Sequence, residues 1–193
     1  MANFNLNNFI TEVSRRGVSR SNRFEVQITP PKSLTNLTDD GRLVNLYCDI
    51  TNLPGMSIIT KALRLYGPAY QRPISSEFNG EAINMTFYLD RDMRIKAFFD
   101  FWMFRTVNPN SFNVNYAEDY TTTIKISQLD ENDNATYSVY LEDAFPRAMS
   151  LVDLSAGATN QAGRLNMTFA YRRWFAEHKT NMNPLLTSTV TRL

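Results

Sequence analysis

The sequence predicts a mainly β fold: an antiparallel β-sandwich or partly closed barrel with one flanking α-helix and a short N-terminal helix. Three observations predict it. Seven or eight segments alternate apolar and polar residues with the two-residue period of a half-buried strand. Turn residues separate them at hairpin spacing, at Asp39-Asp40-Gly41, Asn79-Gly80 and Asp130 to Asn134, which favours antiparallel pairing. One stretch alone, about Asp92 to Arg105, carries the period of a long helix. A length of 193 residues fits a single domain, 1–193, large enough to bury a sizeable core.

Residues 5–16 read as the short helix. Leu6, Phe9, Ile10 and Val13 fall on one face, and Gly17 stops it. Arg15, Arg16, Arg20 and Arg23 form a basic cluster without the aromatic set that nucleic-acid stacking needs, so they read as a solvated or inter-subunit face. Phe24, Val26 and Ile28 face inward in a strand ended by Pro30-Pro31. Residues 31–42 read as a polar loop. Val44, Leu46, Cys48 and Ile50 alternate as the next strand, stopped by Asn52-Leu53-Pro54-Gly55.

Met56 to Phe78 reads as two extended arms about Gly67-Pro68. Their apolar pattern is thin, and a hairpin that cannot cover its own face leans on something else. Ile83, Met85, Phe87 and Leu89 then alternate in a strand that feeds the long helix. That helix has two apolar stripes. Ile95, Phe98, Phe99 and Trp102 form one, and Ala97, Phe101 and Phe104 lie nearly opposite. The second stripe needs cover from loops of the same chain or from another subunit.

A polar, aromatic-spotted loop runs from Asn108 to about residue 118. Tyr120, Thr122, Ile124 and Ile126 form a strand. Tyr137, Val139 and Leu141 return from the turn, and Ala144-Phe145-Pro146 breaks them off. Leu165, Met167, Phe169 and Tyr171 make the last strand, ending at Trp174-Phe175. The polar tail 176–193 reads as an extended or disordered arm.

Composition bounds the chemistry. A net charge of +1 gives no global pull toward nucleic acid or an acidic membrane. One cysteine, Cys48, makes no intramolecular disulfide and reads as a small buried hydrophobe. Neither an N-terminal signal pattern nor an 18-residue apolar run occurs, so no membrane insertion is expected. The single histidine, His178, lies in the polar tail, and no catalytic triad, phosphate loop or zinc set can be assembled. Asp130, Asn132 and Asn134 match three calcium-loop ligands. Ala135 stands where such a loop requires glycine, and Leu141 stands at its twelfth position. Asp90 with Asp92, Glu118 with Asp119, and Glu142 with Asp143 read as capping or surface carboxylates. The expectation is a protein that is not an enzyme and holds no cofactor or metal.

The order of the pieces carries a resemblance. It starts with the helix Leu6 to Val13 and the strand Arg20-Ser21-Asn22-Arg23-Phe24-Glu25-Val26. Leu53-Pro54-Gly55, the long hairpin and the helix containing Phe101-Trp102 follow. Phe145-Pro146, Leu151 to Leu154 and Leu165-x-Met167-Thr168-Phe169-x-Tyr171-x-x-Trp174 close it. Over residues 4–175 the chain resembles the tail tube proteins of contractile-tailed bacteriophages, the T-even-like family. Two departures, the longer loop 30–42 and the tail beyond 175, would fit a specialised tube protein such as one at the baseplate end.

The resemblance implies a structural virion protein of the tail, assembled in the host cytoplasm. Six copies would form a ring, a homo-hexamer, and stacked rings would make the hollow conduit for DNA ejection inside a contractile sheath. Partners would be the tail sheath protein and the baseplate and tail terminator proteins, with transient passage of DNA. The alternatives are a baseplate-end initiator or adaptor ring of the same fold, or the tube of a related contractile injection system.

Within that frame, subunit contacts are expected from Leu6, Phe9, Arg15, Arg16 and Arg20 of the first segment. Leu63, Arg64, Tyr66, Tyr70 and Arg72 of the hairpin are expected to join them, as are Phe101 and Phe104 of the helix. A DNA channel should avoid clustered arginine, because phosphate contacts add up. The lumen is therefore expected on neutral strand faces such as Thr121, Thr123 and Ser127.

Overall fold

A computed structural model describes residues 5–64, 66–77, 82–155, 157 and 162–178. Nine strands and four α-helices follow one another among them. Helix α1 (Leu6–Arg16) leads to β1 (Phe24–Ile28). A 3-10 segment, Lys32–Leu37, runs into α2 (Thr38–Leu46) and then β2 (Cys48–Thr51). The arm is β3 (Ser57–Leu63) with β4 (Tyr70–Glu77). Strand β5 (Ile83–Tyr88) feeds α3 (Arg94–Thr106), and the short α4 (Ala117–Tyr120) precedes β6 (Thr122–Leu129). Strands β7 (Ala135–Met149), β8 (Arg164–Ala170) and β9 (Arg173–His178) complete the fold.

Every strand pairing is antiparallel. The first sheet runs β1-β6-β7-β9 and the second β7-β8-β5-β2, so β7 belongs to both. Its first part pairs with β6 and β9. Its last part, Phe145 to Met149, pairs with β8. Asp143 takes a left-handed conformation (φ 51°) at the bend between the two parts. The sequence reading ended this strand at Ala144-Phe145-Pro146. Instead the register shifts between Pro146 and Ala148, and a bulge is where a strand tolerates a residue without N–H.

The alternating inward residues of both sheets meet in one core. Val26, Ile124, Ile126, Val139 and Leu141 come from the first sheet, and Met85, Phe87, Leu165, Met167 and Phe169 from the second. Helix α3 closes it. Its stripe Ile95, Phe98, Phe99 and Trp102 is buried as its spacing predicts. Phe99 meets Phe87 at 5.0 Å and Phe169 at 6.0 Å, and Trp102 stacks along Phe99 at 6.4 Å and 11°. The Trp102 indole N–H donates to the Tyr120 carbonyl at 2.7 Å, so the largest core side chain leaves no polar atom unsatisfied.

Three further readings change. Residues 38–46 form α2, not a loop and the start of a strand. Asp39 and Asp40 occupy its first turn, where carboxylates suit the helix dipole. Gly41 lies against Pro30, and a Cβ there would stand 2.7 Å from the ring. Val44 is buried while Leu46 is 79% exposed, so the apparent alternation of Val44, Leu46, Cys48 and Ile50 is not one strand face. Tyr120 ends α4 rather than opening β6. The last strand splits at Tyr171 and Arg172, and β9 continues through Ala176 to His178 as a paired strand, shortening the expected arm. Positions 179–193 of that arm, the Leu65 and Phe78 positions of the hairpin and its Asn79-Gly80 turn lie outside the described residues.

Candidate assembly surfaces

Three features stand off the core, and each follows from its local sequence. Helix α1 is capped by Asn5, whose side chain accepts the Asn7 N–H at 3.1 Å. Its stripe is largely uncovered by the described residues: Leu6 is 64% exposed, Phe9 53% and Ile10 52%. Arg15 pairs with Glu12 on the same helix at 3.1 Å. The Arg16 side chain lies outside the described residues. Arg20 pairs with Glu131 at 3.0 Å, and its carbonyl accepts from Gln128 at 2.6 Å. Arg23 pairs with Asp133 at 2.9 Å and also donates to the Glu131 carbonyl. The basic cluster is thus divided. Arg20 and Arg23 fasten the first segment to the β6–β7 turn, and an open groove of about 500 Å³ lies between that turn and the end of α1.

The turn itself is built by Asp130, whose carboxylate accepts the N–H groups of Asn132 and Asn134, both at 2.8 Å. Strands flank it on both sides, the geometry of a hairpin rather than a helix-flanked calcium loop.

The arm follows β2 in the chain and forms a two-stranded sheet of its own. Cys48 to Thr51 pairs with β5, and after the irregular stretch 52–56 Ser57 to Leu63 pairs with β4. Both faces of the arm are exposed, including Ile58, Ile74, Tyr70, Arg72 and the fully exposed Tyr66; among its described residues only Leu63 is half-buried. Arg64 donates to the Gly67 carbonyl at 3.1 Å across the tip. At the base, the Trp174 indole N–H donates to the Gly55 carbonyl at 3.0 Å.

The second stripe of α3 is uncovered as well, with Phe101 and Phe104 each 54% exposed. Among the described residues no loop of the same chain covers it. The following segment enlarges it instead: Val107 bridges to Val114, and Phe112, Val114 and Tyr116 are all more than half exposed. Sequence reasoning took 108–118 for a polar loop. The signal available was Phe112, Val114 and Tyr116 within 107–117, a run without charge.

The outward faces of the two sheets differ. On the second sheet, Thr86 donates to Asn166 at 2.8 Å and Thr168 to Asn84 at 2.9 Å, an uncharged amide–hydroxyl ladder. Arg164 at its end is neutralised by Asp49 at 3.4 Å and lies over the Tyr88 ring. The first sheet carries charges outward. Lys125 lies over the Tyr140 ring, Tyr140 donates to Glu177, and Arg173 pairs with Glu142. Of the residues expected to line a channel, Thr123 is exposed on that charged face. Thr121 is half-buried and donates to the Ala117 carbonyl. Ser127 is corrected: it is buried, 1% exposed, and hydrogen-bonded to Ser138 at 3.0 Å. Two small hydroxyls that satisfy each other can be covered by neighbouring side chains at little cost.

Burial, then the Asp49 charge, pushes the Cys48 thiol up to about 12, which keeps it in the protonated form near neutral pH. Among the described residues no group of three or more His, Cys, Asp or Glu side chains is placed to hold a metal ion. What this arrangement offers is surface for other proteins.

Comparison with known proteins agrees. The family model described as phage tail tube protein matches residues 19–177. No curated protein matches the chain by sequence. Among solved structures, the chain is similar to one in the sheath–tube complex of PVC, an extracellular contractile injection system in its extended state. Identity is 15%, the match covers 87% of this chain and 97% of that one, and the TM-score is 0.57. It is similar to a chain of the baseplate of the anti-feeding prophage, with 15% identity, 83% and 96% coverage and a TM-score of 0.61. A chain of the tube-terminating cap of the same particle matches with 16% identity, 84% and 93% coverage and a TM-score of 0.58. At these identities the structures speak to the fold.

Proposed function

This chain belongs to the phage tail tube protein family, and from that membership we propose that six copies close into a ring and that rings stack into a hollow conduit for DNA. The protein acts by assembly and conduction, without catalysis. The arm carries the reading. A two-stranded ribbon exposed on both faces is at best marginally stable alone, so it gains its cover from a neighbouring subunit or ring. The edge strands of the first sheet, β1 and β9, are complementary templates for head-to-tail pairing between subunits, which would remove both edges at once.

The channel wall fits the outward face of β5 and β8. Asn84, Thr86, Asn166 and Thr168 present no charge for phosphates to hold, whereas Thr123 has Lys125 beside it. The sheath, the baseplate and the terminator are the partners proposed for the outer wall and the two ends. The relatives of this fold in sheath–tube, baseplate and cap assemblies support that choice.

Negative-stain microscopy of the purified protein tests the reading. Rings or tubes are expected. Single rings that never polymerise would assign the chain to a tube initiator or adaptor. Deletion of Thr60 to Arg72 is expected to abolish tubes, and intact tubes after it would remove the arm from the interface.

A further inference from the structure

We propose that the apolar stripe of α1 in one copy docks on the outer face of α3 and the adjoining 107–116 segment of the next copy. This rests on the ring reading and names the two surfaces that meet. The donor is Leu6, Phe9 and Ile10, half or more exposed in their own subunit. An isolated helix of 11 residues is marginal in water, so α1 needs an apolar partner to persist. The acceptor is Phe101 and Phe104 with Phe112 and Val114, all more than half exposed; the Val107–Val114 bridge holds the segment against the end of α3, and exposed apolar surface of this kind marks a protein contact.

Their placement makes the contact head-to-tail. Arg20 and Arg23 fasten the α1 segment at the turn that follows β6, beside Glu131 and Asp133. The acceptor lies at the other end of β6, where Trp102 holds the Tyr120 carbonyl just ahead of Thr122. Eight strand residues separate the two ends, about 26 Å. A donor and an acceptor at opposite ends of one subunit form the heterologous pair that a closed ring repeats.

Charge supports the match. The segment 107–117 has no charged residue, and the apolar half of α1 is flanked by asparagines. Beyond the stripe α1 carries Arg15, paired on its own helix with Glu12, and beyond the patch α4 carries Asp119 and Glu118, the latter paired with Lys32; these pairs are solvent-exposed and can exchange partners on contact. An antiparallel approach brings these opposite charges together as the apolar faces meet.

Two variants test it. The donor variant is Leu6→Ser with Phe9→Ser and Ile10→Ser; the acceptor variant is Phe101→Ser with Phe104→Ser. Removal of residues 1–16 serves as a second donor variant. Circular dichroism and thermal melting confirm folding, since neither set reaches the core. In native mass spectrometry each variant alone should raise the monomer–ring midpoint concentration by about tenfold or more. Mixed, they should give 1:1 heterodimers and no rings, because one intact donor then meets one intact acceptor. Rings from the acceptor variant alone at the wild-type midpoint would overturn the inference and give the α3 patch to another protein, while the ring reading stands. An inert mixture would also overturn it. A wild-type chain that stays monomeric at every concentration, without rings or tubes by microscopy, would overturn both.

Discussion

The Trp174 indole N–H donates to the Gly55 carbonyl at 3.0 Å, across 119 residues of sequence. It joins β9, in the first sheet, to the base of an arm that forms a separate two-stranded sheet. Replacing the indole by a phenyl ring keeps most of the apolar contact and removes the bond. Trp174→Phe should cost the fold no more than about 1 kcal/mol. Hydrogen exchange and limited proteolysis within 55–77 should nevertheless rise clearly. Unchanged protection of the arm would show that its base is held by other contacts.

Ser127 and Ser138 test whether a buried polar pair acts as a unit. Each hydroxyl is the partner of the other at 3.0 Å in a buried site. Ser127→Ala leaves Ser138 without that partner and should destabilise by about 1–3 kcal/mol. The double variant with Ser138→Ala removes both polar groups and should lie closer to wild type than the sum of the singles. A double-mutant cycle in urea measures this, and strict additivity would refute it.

The same pair shows why sequence patterning carries only so far. Strand alternation located β1, β5, β6 and β8, because buried and exposed faces impose a two-residue period on the chain. It also put Ser127 on the polar face, where period alone cannot show that a second serine stands opposite. Asp39-Asp40-Gly41 has turn composition, yet it folds as helix because Gly41 can approach Pro30 and the acids suit the first turn. Pro146 breaks a strand by rule, and β7 passes it by shifting register at a bulge. The two-sided helix was legible from stripes alone. The apolar 107–116 segment was not, since irregular backbone has no period to read.

The two stripes of α3 should separate folding from assembly. Trp102→Ala empties a buried site that touches Phe98, Phe99 and Phe169, and should cost about 3–5 kcal/mol. Phe101→Asp and Phe104→Asp alter half-exposed positions and should change monomer stability by only about 0.5 kcal/mol. Their effect should fall on ring formation instead. Thermal melting beside microscopy decides it, and equal loss of both in the aspartate variants would return Phe101 and Phe104 to the core.

Asp90 supplies a pH-dependent hold on the start of α3. Met93, at the N-cap, has a left-handed backbone (φ 56°) and no side-chain cap. Asp90 compensates by accepting the Ile95 N–H at 3.2 Å and pairing with Arg94 at 3.1 Å. Burial opposes its ionisation, but the Ile95 hydrogen bond and then Arg94 outweigh it, holding the carboxyl below the usual range. A lowered folded-state pKa means stability present above the ordinary carboxylate value and lost as pH falls through the folded one. Asp90→Ala should cost about 1 kcal/mol at neutral pH. Asp90→Asn keeps an acceptor for Ile95 but loses the charge facing Arg94, so it should cost less. Its deficit should stay constant between about pH 6 and 8 and shrink below about pH 4, as wild-type Asp90 itself becomes neutral. Urea unfolding of both variants across that range checks it. A deficit that persists undiminished into acid would show that Asp90 acts by geometry rather than by charge.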